Sequence, residues 1–451
     1  MKQSVQKVDP IREYALKILR RTEAALSFPK LLLEYQLEET EFSRRDRAFT
    51  YQLAIGTLRH RGTIDWALQR LFDSPLEELT PWIRNILRMG MFQILFLDRV
   101  PKSAAVDESV KLAKKYGHKG TAGLVNAVLR NAHKEAILDS LGALDEHSIT
   151  NLSIKYSHPG WLVELLSEEW GRETAIEIMK QNNAIPPLTA RVNINRATRE
   201  QVLQRLESEG VGAVTFPYTE EGIRLHSISA LQTLQVWKDG LLYMQDASSM
   251  LAVHCLDAHP GQKALDVCAG PGGKTTHIAA LMHNEGKVYA LDIHDHKIAL
   301  IEENARRLGI TIIEARKEDA TVPLAPRYGG MDRVIADVPC SGLGVIRRRP
   351  DLKWRLRPEQ IEGLARLQSE ILENAAQCVR PGGTLIYCTC TITRKENAGV
   401  VEDFLGRHPE FEASAEFPGQ LRKYVRDGRF AQILPGDENM DGFFIAKMRR
   451  V

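Results

Sequence analysis

Cysteine is scarce in this sequence, and long apolar runs are missing from it. Six cysteines in 451 residues are too few for a disulfide scaffold, which favours a protein of the reducing cytoplasm. No apolar run approaches the ~18–20 residues that a membrane span requires. The first fourteen residues, MKQSVQKVDPIREY, lack the apolar region of a secretory signal. We therefore expect a cytoplasmic protein without a membrane segment.

Net charge is also low, at +2, but it is unevenly distributed. Residues 1–134 contain 23 Lys and Arg against 15 Asp and Glu, and the remaining residues contain 37 against 43. From Val110 to Lys134 there are six basic residues and no acidic ones. A basic N-terminal region favours an anionic partner such as nucleic acid, although a solvated helical surface would give the same pattern.

The length predicts about three domains of ~150 residues each. An apolar content of 43% and a charged content of 26% exclude a disordered chain. Residues 1–140 are predicted to be helical, because apolar residues recur at spacings of three and four in Ile11–Ala24, Ala48–Gly56, Thr63–Leu71 and Trp82–Phe96. A further helix is expected to begin near Pro101, with Ser103 as its N-cap, and to end at Gly117.

Residues 141–245 are predicted to form linker helices and a small α/β region, with a strand at Leu188–Ile194 and a helix at Arg199–Gly210. Residues 246–451 alternate between strands and helices. The buried-strand candidates are KALDVCA, KVYALDI, MDRVIADVPC and GTLIYCTC. This alternation predicts a doubly wound parallel sheet, in which loops at the carboxyl ends of the strands hold the ligand.

A glycine-rich turn follows the first of these strands, in the segment Asp266-Val-Cys-Ala-Gly-Pro-Gly-Gly-Lys274. Glycines allow a ligand to approach the backbone closely, and the following helix offers free N–H groups. The spacing matches neither G-x-G-x-x-G nor a Walker A loop, which makes a phosphate site the weaker interpretation. Asp292 ends the next strand, 19 residues after Gly273, where an acid can bind ribose hydroxyls. With Asp319 placed to reach an adenine amino group, the pattern predicts a nucleoside cofactor.

Two cysteines follow the next two predicted strands, at the edge that carries the glycine-rich turn. Cys340 lies in Asp337-Val-Pro-Cys-Ser-Gly, and Cys390 lies in Tyr-Cys-Thr-Cys-Thr. A single cysteine at a strand end is usually a small buried hydrophobe, but two above a cofactor loop suggest chemistry. No C-x₂-C pair exists, so we predict no metal site. A thiolate that adds to C6 of cytosine makes C5 nucleophilic enough to accept a methyl group.

These segments resemble the motifs of S-adenosylmethionine-dependent RNA cytosine-C5 methyltransferases. The loop Cys-Ala-Gly-Pro-Gly-Gly-Lys is similar to that family's Cys-Ala-Ala-Pro-Gly-Gly-Lys, and MDGFFIAKM resembles its closing strand. Residues 9–134, with VPKSAAVDESVKLAKKY and GLVNAVLRN, resemble the NusB-like RNA-binding domain. Over most of the chain, the combination resembles the bacterial 16S ribosomal RNA cytosine-C5 methyltransferases.

The resemblance implies a fold class and a reaction. The fold is a multidomain chain with an all-α NusB-like domain at 1–140, a small α/β RNA-binding region at 141–245 and a Rossmann-like α/β methyltransferase domain at 246–451. The implied reaction is methylation of C5 of a cytosine in 16S ribosomal RNA, cytosine 967 in conventional numbering, through a covalent cysteine–C6 adduct. The implied partner is small-subunit ribosomal RNA, bound by a monomer with no membrane association.

The resemblance also assigns roles to individual residues. It makes Cys390 the nucleophile, gives Cys340 a part in product release, and places Asp337 against the target base near the methyl donor. The residues implied to hold S-adenosylmethionine are Cys268, Ala269, Gly270, Pro271, Gly272, Gly273, Lys274, Asp292, Asp319 and Asp337. DNA cytosine-C5 methyltransferases use the cysteine of the Pro-Cys loop as nucleophile, so the reverse assignment of Cys340 and Cys390 stays open.

Three residues depart from the family pattern without removing a catalytic group. Gly270 replaces alanine, Thr391 replaces serine, and Cys388 stands where serine is common, which adds a competing thiol two residues from Cys390. Two other functions also remain open at this stage. One is an RNA-binding or antitermination factor with an inactive methyltransferase fold, and the other is a cytosine-C5 methyltransferase that acts on tRNA.

Basic residues cluster after Cys340 and in the helical region. The segment from Gly342 to Arg357 has six basic residues against one acid, with Trp354 among them. This pattern predicts a clamp on the RNA backbone with a stacking platform, although a surface loop that caps the sheet is the alternative. The predicted RNA-binding residues are Arg347, Arg348, Arg349, Lys353, Arg355, Arg357, Lys111, Lys114, Lys115 and Lys119.

Overall fold

A computed structural model describes residues 8–24, 42–226, 231–426 and 428–451. Two of the predictions fall partly outside these ranges. Residues 1–7 belong to the N-terminal segment predicted to lack a secretory signal, and residues 227–230 belong to the predicted small α/β region. The chain divides into two compact units. One contains the described residues up to Ala184 together with Ile346–Arg355, and the other contains Ile185–Val345 and the described residues from Leu356 onward. Within the described ranges, no helix combines the length and apolarity needed to cross a bilayer.

The first unit is helical, as the apolar spacing predicted. Its helices span Pro10–Glu23, Arg44–Arg59, Arg61–Gln69, Pro81–Phe96, Lys102–Tyr116, Lys119–Arg130, Lys134–Gly142, Ile149–Tyr156, Gly160–Trp170, Arg172–Asn183 and the short Leu352–Arg355. The N-cap prediction at Ser103 is wrong, because Pro101 is the N-cap and Ser103 lies inside the helix. A proline suits this boundary, since it has no N–H to leave unpaired.

The core of this unit centres on the helix Pro81–Phe96, which is buried along most of its length. Arg88 on this helix is 3% exposed and pairs with Asp65 through two nitrogens, at 2.7 and 2.8 Å. It also contacts Glu23 at 3.3 Å. A buried guanidinium requires such partners, because an unpaired buried charge is costly.

The second unit begins with a small antiparallel sheet. Its strands are β1 (Leu188–Val192), β2 (Gly212–Thr215), β3 (Gly222–His226) and β4 (Leu242–Met244), in the order β2-β3-β1-β4. The helix Arg199–Ser208 begins with a capping box between Thr198 and Gln201, and it buries Val202 and Leu206 in the core of this sheet.

The large sheet of this unit has the order β11-β12-β13-β9-β8-β5-β6-β7, and β10 pairs with β13. Its strands are β5 (Lys263–Asp266), β6 (Lys287–Asp292), β7 (Ile313–Lys317), β8 (Met331–Asp337), β9 (Val379–Thr389), β10 (Phe411–Ala413), β11 (Val425–Arg426), β12 (Phe430–Ile433) and β13 (Phe443–Arg450). The strands β5 to β9 pair in parallel, as predicted. The strands from β10 onward pair antiparallel, so the sheet is mixed.

Helices connect the parallel strands and cover the sheet. They span Ala247–Leu256, Gly273–Leu281, Asp295–Leu308, Ala325–Tyr328, Pro358–Cys378 and Ala398–Arg407, and Gln235–Lys238 lies beside the small sheet. The expected Rossmann-like fold is therefore confirmed. The carboxyl ends of β5, β6, β8 and β9 lie along one edge of the sheet, and the predicted chemical groups are found there.

Candidate functional site

A cavity of about 280 Å³ lies at this edge of the large sheet. Its lining includes much of the predicted cofactor loop, namely Cys268, Ala269, Gly270, Pro271, Gly273 and Lys274. Asp337 and Cys390 line the same cavity, whereas Gly272, Asp292, Asp319 and Cys340 are not among the residues of its lining. Sequence reasoning did not single out Tyr243, Asp246, Asp441 or Phe443, which also line it. Tyr243 and Asp246 come from the segment around β4, whereas Asp441 and Phe443 belong to the segment MDGFFIAKM, which was identified as a strand and not as part of the site.

The glycine-rich turn is shaped by close contacts with its neighbours. Gly272 adopts a left-handed conformation with φ +99°, and its N–H donates to Ala269 O at 2.7 Å. A Cβ on Gly270 would lie 2.7 Å from Asp292 Oδ2 and 2.4 Å from Lys297 Cδ. Because real Cβ contacts are not this short, an alanine at position 270 would require Lys297 and Asp292 to shift. The glycine that departs from the family pattern therefore fits this particular arrangement.

Asp292 lies at the end of β6, directly against the turn. Its Oδ2 accepts from Gly270 N at 3.1 Å and from Lys297 Nζ at 3.2 Å, and its Oδ1 accepts from His294 N at 3.0 Å. The carboxylate thus fixes the position of the glycine-rich turn relative to β6. Its role as a ribose ligand stays a prediction.

Asp319 lies in the loop after β7 and is partly buried. Its Oδ1 accepts from Thr321 N at 2.9 Å and from Thr321 Oγ1 at 2.7 Å. These two hydrogen bonds hold the pKa of Asp319 below its usual value. The carboxylate is therefore ionised at neutral pH, and its contact with adenine stays a prediction.

Asp266 is the buried acid at the bottom of the cavity. Its Oδ2 accepts from Thr275 Oγ1 at 2.7 Å, whereas its Oδ1 is buried without a hydrogen-bond partner among the described residues. The residue is 1% exposed, and this burial raises the pKa of Asp266 to about 7. A buried carboxylate oxygen without a donor is costly. An ammonium group on a ligand in the cavity would satisfy it, so the site fits a cofactor that carries an amino group.

The two predicted cysteines lie side by side. Cys340 Sγ is 3.3 Å from Cys390 Sγ, and both side chains are partly exposed. The pairing of β8 with β9 explains this, because the two strands are adjacent and parallel and a cysteine follows the end of each. The contact with Cys390, together with burial, raises the pKa of the Cys340 thiol well above its usual value.

Asp337 and Lys274 form an ion pair in the wall of the cavity. Lys274 Nζ lies 2.6 Å from Asp337 Oδ2 and 5.1 Å from the centre of the Phe443 ring. Burial opposes the charge of Lys274, but Asp337 outweighs this effect and raises the pKa of the lysine. The ion pair and Cys390 thus line the same cavity.

Cys388 does not compete with these thiols in the folded protein. Its side chain is fully buried within β9, and its Sγ lies 3.7 Å from Asp337 Oδ1. Burial and the charge of Asp337 raise the pKa of this thiol well above its usual value. The expectation of a competing thiol is thus corrected, because a buried and protonated thiol is inert.

Two residues predicted to bind RNA are buried in the helical unit. Arg347 is 1% exposed and Lys353 is fully buried. Lys353 Nζ donates to Arg59 O at 2.8 Å and to Asn183 Oδ1 at 2.9 Å, and burial lowers its pKa. In this arrangement neither side chain is available to a phosphate, so the prediction is corrected for these two positions.

Trp354, the predicted stacking platform, is half-buried, and its stacking on RNA stays a prediction. The Trp354 Nε1–H donates to Leu58 O at 2.6 Å, and the Arg61 guanidinium lies 5.2 Å from the centre of its ring. The pattern of charges in the sequence could not show that the segment around Trp354 is partly buried, because burial depends on packing partners that are distant in sequence.

The remaining basic residues have varied surroundings. Lys111 pairs with Asp107 and Glu108, each at 2.7 Å, and Lys115 pairs with Glu13 at 2.8 Å. The half-buried residues are Arg348, Arg349 and Arg355, and the exposed ones are Arg357, Lys114 and Lys119. Their contact with RNA stays a prediction.

A cluster of possible metal ligands lies elsewhere in the second unit. Glu221, His254 and His277 bring one ligand atom each to within 4.8 Å of one another. The Nε2 atoms of His254 and His277 lie 2.9 and 3.0 Å from Glu221 Oε1. Burial and the charge of the buried Arg191 lower the pKa of His277 to about 3, and the same charge opposes a cation here. Glu221 lies directly before β3, and the two histidines lie on the helices Ala247–Leu256 and Gly273–Leu281, so the cluster joins the small sheet to the helices beside the large sheet.

Three protein families match consecutive parts of the chain. Residues 9–134 match the NusB family, and residues 158–232 match the ferredoxin-like domain of RsmF/B-like methyltransferases. Residues 253–449 match the family described as 16S rRNA methyltransferase RsmB/F.

Individual relatives are similar over nearly the whole length. The probable ribosomal RNA small subunit methyltransferase B of Bacillus subtilis is 38% identical, over 98% of both chains. The ribosomal RNA small subunit methyltransferase B of Klebsiella pneumoniae is 34% identical, over 91% of both chains. The crystal structure of PH0851 superposes with a TM-score of 0.81 at 26% identity, covering 99% of this chain and 100% of the other.

Proposed function

Because the chain belongs to the RsmB/F family of 16S ribosomal RNA methyltransferases, we propose that it methylates C5 of a cytosine through a covalent bond between Cys390 and the base. S-adenosylmethionine supplies the methyl group. The proposed target is cytosine 967 of 16S ribosomal RNA. The observation that carries the mechanism is the distance of 3.3 Å between the sulfur atoms of Cys340 and Cys390, of which Cys390 lines a cavity that fits the cofactor.

Two neighbouring thiols suit C5 chemistry because the reaction acts on two adjacent ring carbons. In the first step Cys390 Sγ, as thiolate, forms a bond to C6, and the electron pair of the C5–C6 bond becomes available at C5. C5 would then take the methyl group from the sulfonium sulfur of the cofactor, whose C–S bond breaks so that the sulfur leaves as a neutral thioether. In the last step the C5 proton leaves to a base, the C6–Sγ bond breaks, and its electron pair returns to Cys390. Methylation of an exocyclic amine would need neither thiol.

The ion pair of Asp337 and Lys274 supports the base during these steps. Addition of sulfur at C6 places negative charge on the ring, which is stabilised by a proton donor or a positive charge near N3 and O2. Lys274 is fixed at 2.6 Å from Asp337 in the wall of the same cavity. We propose that Asp337 contacts the target base, and that the ammonium group of Lys274 keeps this carboxylate oriented and supplies the positive charge.

The proposed cofactor contacts follow the geometry of the turn. Asp266 Oδ1 would accept from the amino group of S-adenosylmethionine, and Asp292 and Asp319 would hold its ribose and adenine. The helix Gly273–Leu281 begins at the same cavity, because Gly273 and Lys274 line it, and the unpaired N–H groups of its first turn would be available to the cofactor.

The product of the reaction tests the proposal directly. The full chain is incubated with tritium-labelled S-adenosylmethionine and with 16S ribosomal RNA, either naked or in small-subunit particles. We expect label in 5-methylcytosine after digestion to nucleosides, and loss of methylation when cytosine 967 is replaced by uridine. Label in another nucleoside would refute C5 chemistry. Transfer only to tRNA would refute the proposed substrate, and no transfer to any RNA would favour an inactive RNA-binding factor.

Substitution of each cysteine tests the division of roles. If Cys390 attacks C6, Cys390→Ala should abolish both methyl transfer and any covalent RNA conjugate. If Cys340 acts in product release, Cys340→Ala should accumulate a conjugate that survives denaturing electrophoresis. Cys255→Ala removes a buried thiol in the helix Ala247–Leu256 and serves as the matched control. A conjugate with Cys390→Ala alone would reverse the assignment.

A further inference from the structure

Glu396 and Asn397 are two buried polar residues at the site that the proposed mechanism does not use. They lie between the end of β9 and the helix Ala398–Arg407, and they are 0% and 1% exposed. A buried carboxylate is costly unless donors surround it, so its partners show what it holds in place.

The carboxylate of Glu396 links the two cysteine-bearing loops. Its Oε1 accepts from Ser341 N at 2.8 Å and from Gln368 Nε2 at 3.0 Å. Its Oε2 accepts from Ser341 Oγ at 2.6 Å, from Thr393 Oγ1 at 2.8 Å and from Thr391 Oγ1 at 3.4 Å. Ser341 follows Cys340 and Thr391 follows Cys390, and their hydroxyl oxygens are 2.7 Å apart. One carboxylate therefore binds the residue next to each thiol.

Asn397 fixes the other side of Cys390. Its Oδ1 accepts from Thr389 Oγ1 at 2.6 Å, and its Nδ2 donates to Thr391 O at 3.1 Å. The same Nδ2 donates to Gln432 Oε1 on β12 at 2.9 Å, which anchors the amide to the sheet. Both chain neighbours of Cys390 are thus held by one side chain.

From these contacts we infer that Glu396, assisted by Asn397, is a positioning residue that sets the spacing between Cys340 and Cys390. The geometric part of this inference is independent of the reaction, whereas its catalytic consequence rests on the proposed function. The two thiols must act on adjacent carbons of one base, so a change of about 1 Å in their spacing would be costly. Glu396 touches neither thiol and acts through Ser341 and Thr391.

The donors around Glu396 predict which substitutions are tolerated. Oε1 faces a backbone N–H and an amide, which can only donate to it, whereas Oε2 faces only hydroxyl groups, which can also accept. In Glu396→Gln the amide can therefore keep its oxygen towards Ser341 N and donate to the hydroxyls. Glu396→Leu has a similar size but leaves Ser341 N buried without an acceptor, and leaves Gln368 Nε2 with only its hydrogen bond to Pro339 O at 2.9 Å. A positioning role predicts that Gln restores what Leu loses, whereas a role in proton transfer predicts that both variants fail.

A bifunctional thiol reagent measures the spacing without RNA or cofactor. Dibromobimane becomes strongly fluorescent when it alkylates two neighbouring thiols, with loss of two bromides. In the full-length protein we expect rapid cross-linking in the parent and in E396Q, and cross-linking at least about tenfold slower in E396L. Cys340→Ala gives the background. Asn374→Ala is the matched control for general destabilisation, because Asn374 is a buried amide in the same unit that donates to Ala320 O, away from both thiols.

Activity measurements then connect spacing to turnover. We expect E396L to lower kcat for methyl transfer at least about tenfold with little change in KM for the cofactor, and E396Q to restore most of the loss.

If E396L does not fold, Ser341→Ala and Thr391→Val remove the hydroxyl links while the carboxylate stays, and they should slow cross-linking to a lesser extent. Parental cross-linking in folded E396L, or in both hydroxyl variants, would overturn the inference. Equal loss of activity in E396Q and E396L with cross-linking retained would also overturn it. If the cross-linking results hold but the parent methylates no RNA, the proposed function fails and the positioning role stands.

Discussion

The buried carboxyl of Asp266 predicts that cofactor binding depends on pH. Burial raises the pKa of this group to about 7, so half of the free protein carries the protonated acid at that pH. In the proposed contact the amino group of the cofactor binds the ionised form, so we expect binding to weaken as pH falls. If only the carboxylate form binds, the ionised fraction falls from about one half at pH 7 to about 3% at pH 5.5. The expected loss of affinity is roughly fifteenfold, equivalent to about 1.6 kcal/mol.

Calorimetry of S-adenosylmethionine binding between pH 5.5 and pH 7 measures this effect. The range stays below the pKa of an α-amino group, ~7.7–8.0, so the ligand keeps its ammonium charge throughout. Asp266→Asn should bind more weakly and show little dependence on pH, because an amide does not titrate.

Asp319→Asn is the matched control for this experiment. Its hydrogen bonds to Thr321 hold the pKa of Asp319 below the usual value, so the group is ionised across the whole range. We expect this variant to lose affinity by the same factor at every pH and to keep the parental slope. The reasoning is refuted if the parent binds equally well at pH 5.5 and pH 7, or if Asp266→Asn keeps the slope.

Two other measurements test the remaining assignments. Asp292→Ala should weaken S-adenosylmethionine binding at least about tenfold, because a charge-assisted hydrogen bond is worth about 1.5–3 kcal/mol, and an unchanged dissociation constant would exclude the ribose contact. The double variants Arg348→Ala with Arg349→Ala, and Lys114→Ala with Lys119→Ala, should each flatten the salt dependence of RNA binding by ~0.7 log unit per lost phosphate contact, whereas Lys353→Met should leave the slope unchanged because Lys353 is buried. Equal slopes for the parent and both double variants would show that these charges make no contact with RNA phosphates.

The sequence predicted the parts of the site that depend on strand order. The alternation of strands and helices places Cys340 and Cys390 after two strands that are paired and parallel, and the structure brings their sulfur atoms to 3.3 Å. The boundaries of one central helix also followed from spacing, since the predicted Trp82–Phe96 is observed as Pro81–Phe96. Local patterns of this kind depend on residues that are close in sequence.

The sequence did not predict features that depend on distant partners. Glu396 binds residues 341, 368, 391 and 393, and nothing in its own neighbourhood marks it as buried. Lys353 and Arg347 belong to a run of basic residues typical of a surface. Lys353 is nevertheless buried, because the backbone carbonyl of Arg59 and the side-chain amide of Asn183 accept hydrogen bonds from its ammonium group. Asp266 was visible as part of its motif, but its unpartnered oxygen is a property of the folded cavity.

The membership of Ile346–Arg355 in the helical unit has a consequence for synthesis of the chain. Domains usually fold as units while the chain emerges from the ribosome at ~5–20 residues per second. The helical unit is an exception, because the segment that supplies Lys353 and Trp354 is made long after Ala184. Until residue 355 emerges, the carbonyl groups of Leu58 and Arg59 lack these donors. A fragment that ends at Ala184 would therefore be an incomplete domain, and supplying residues 346–355 as a separate peptide should raise its melting temperature.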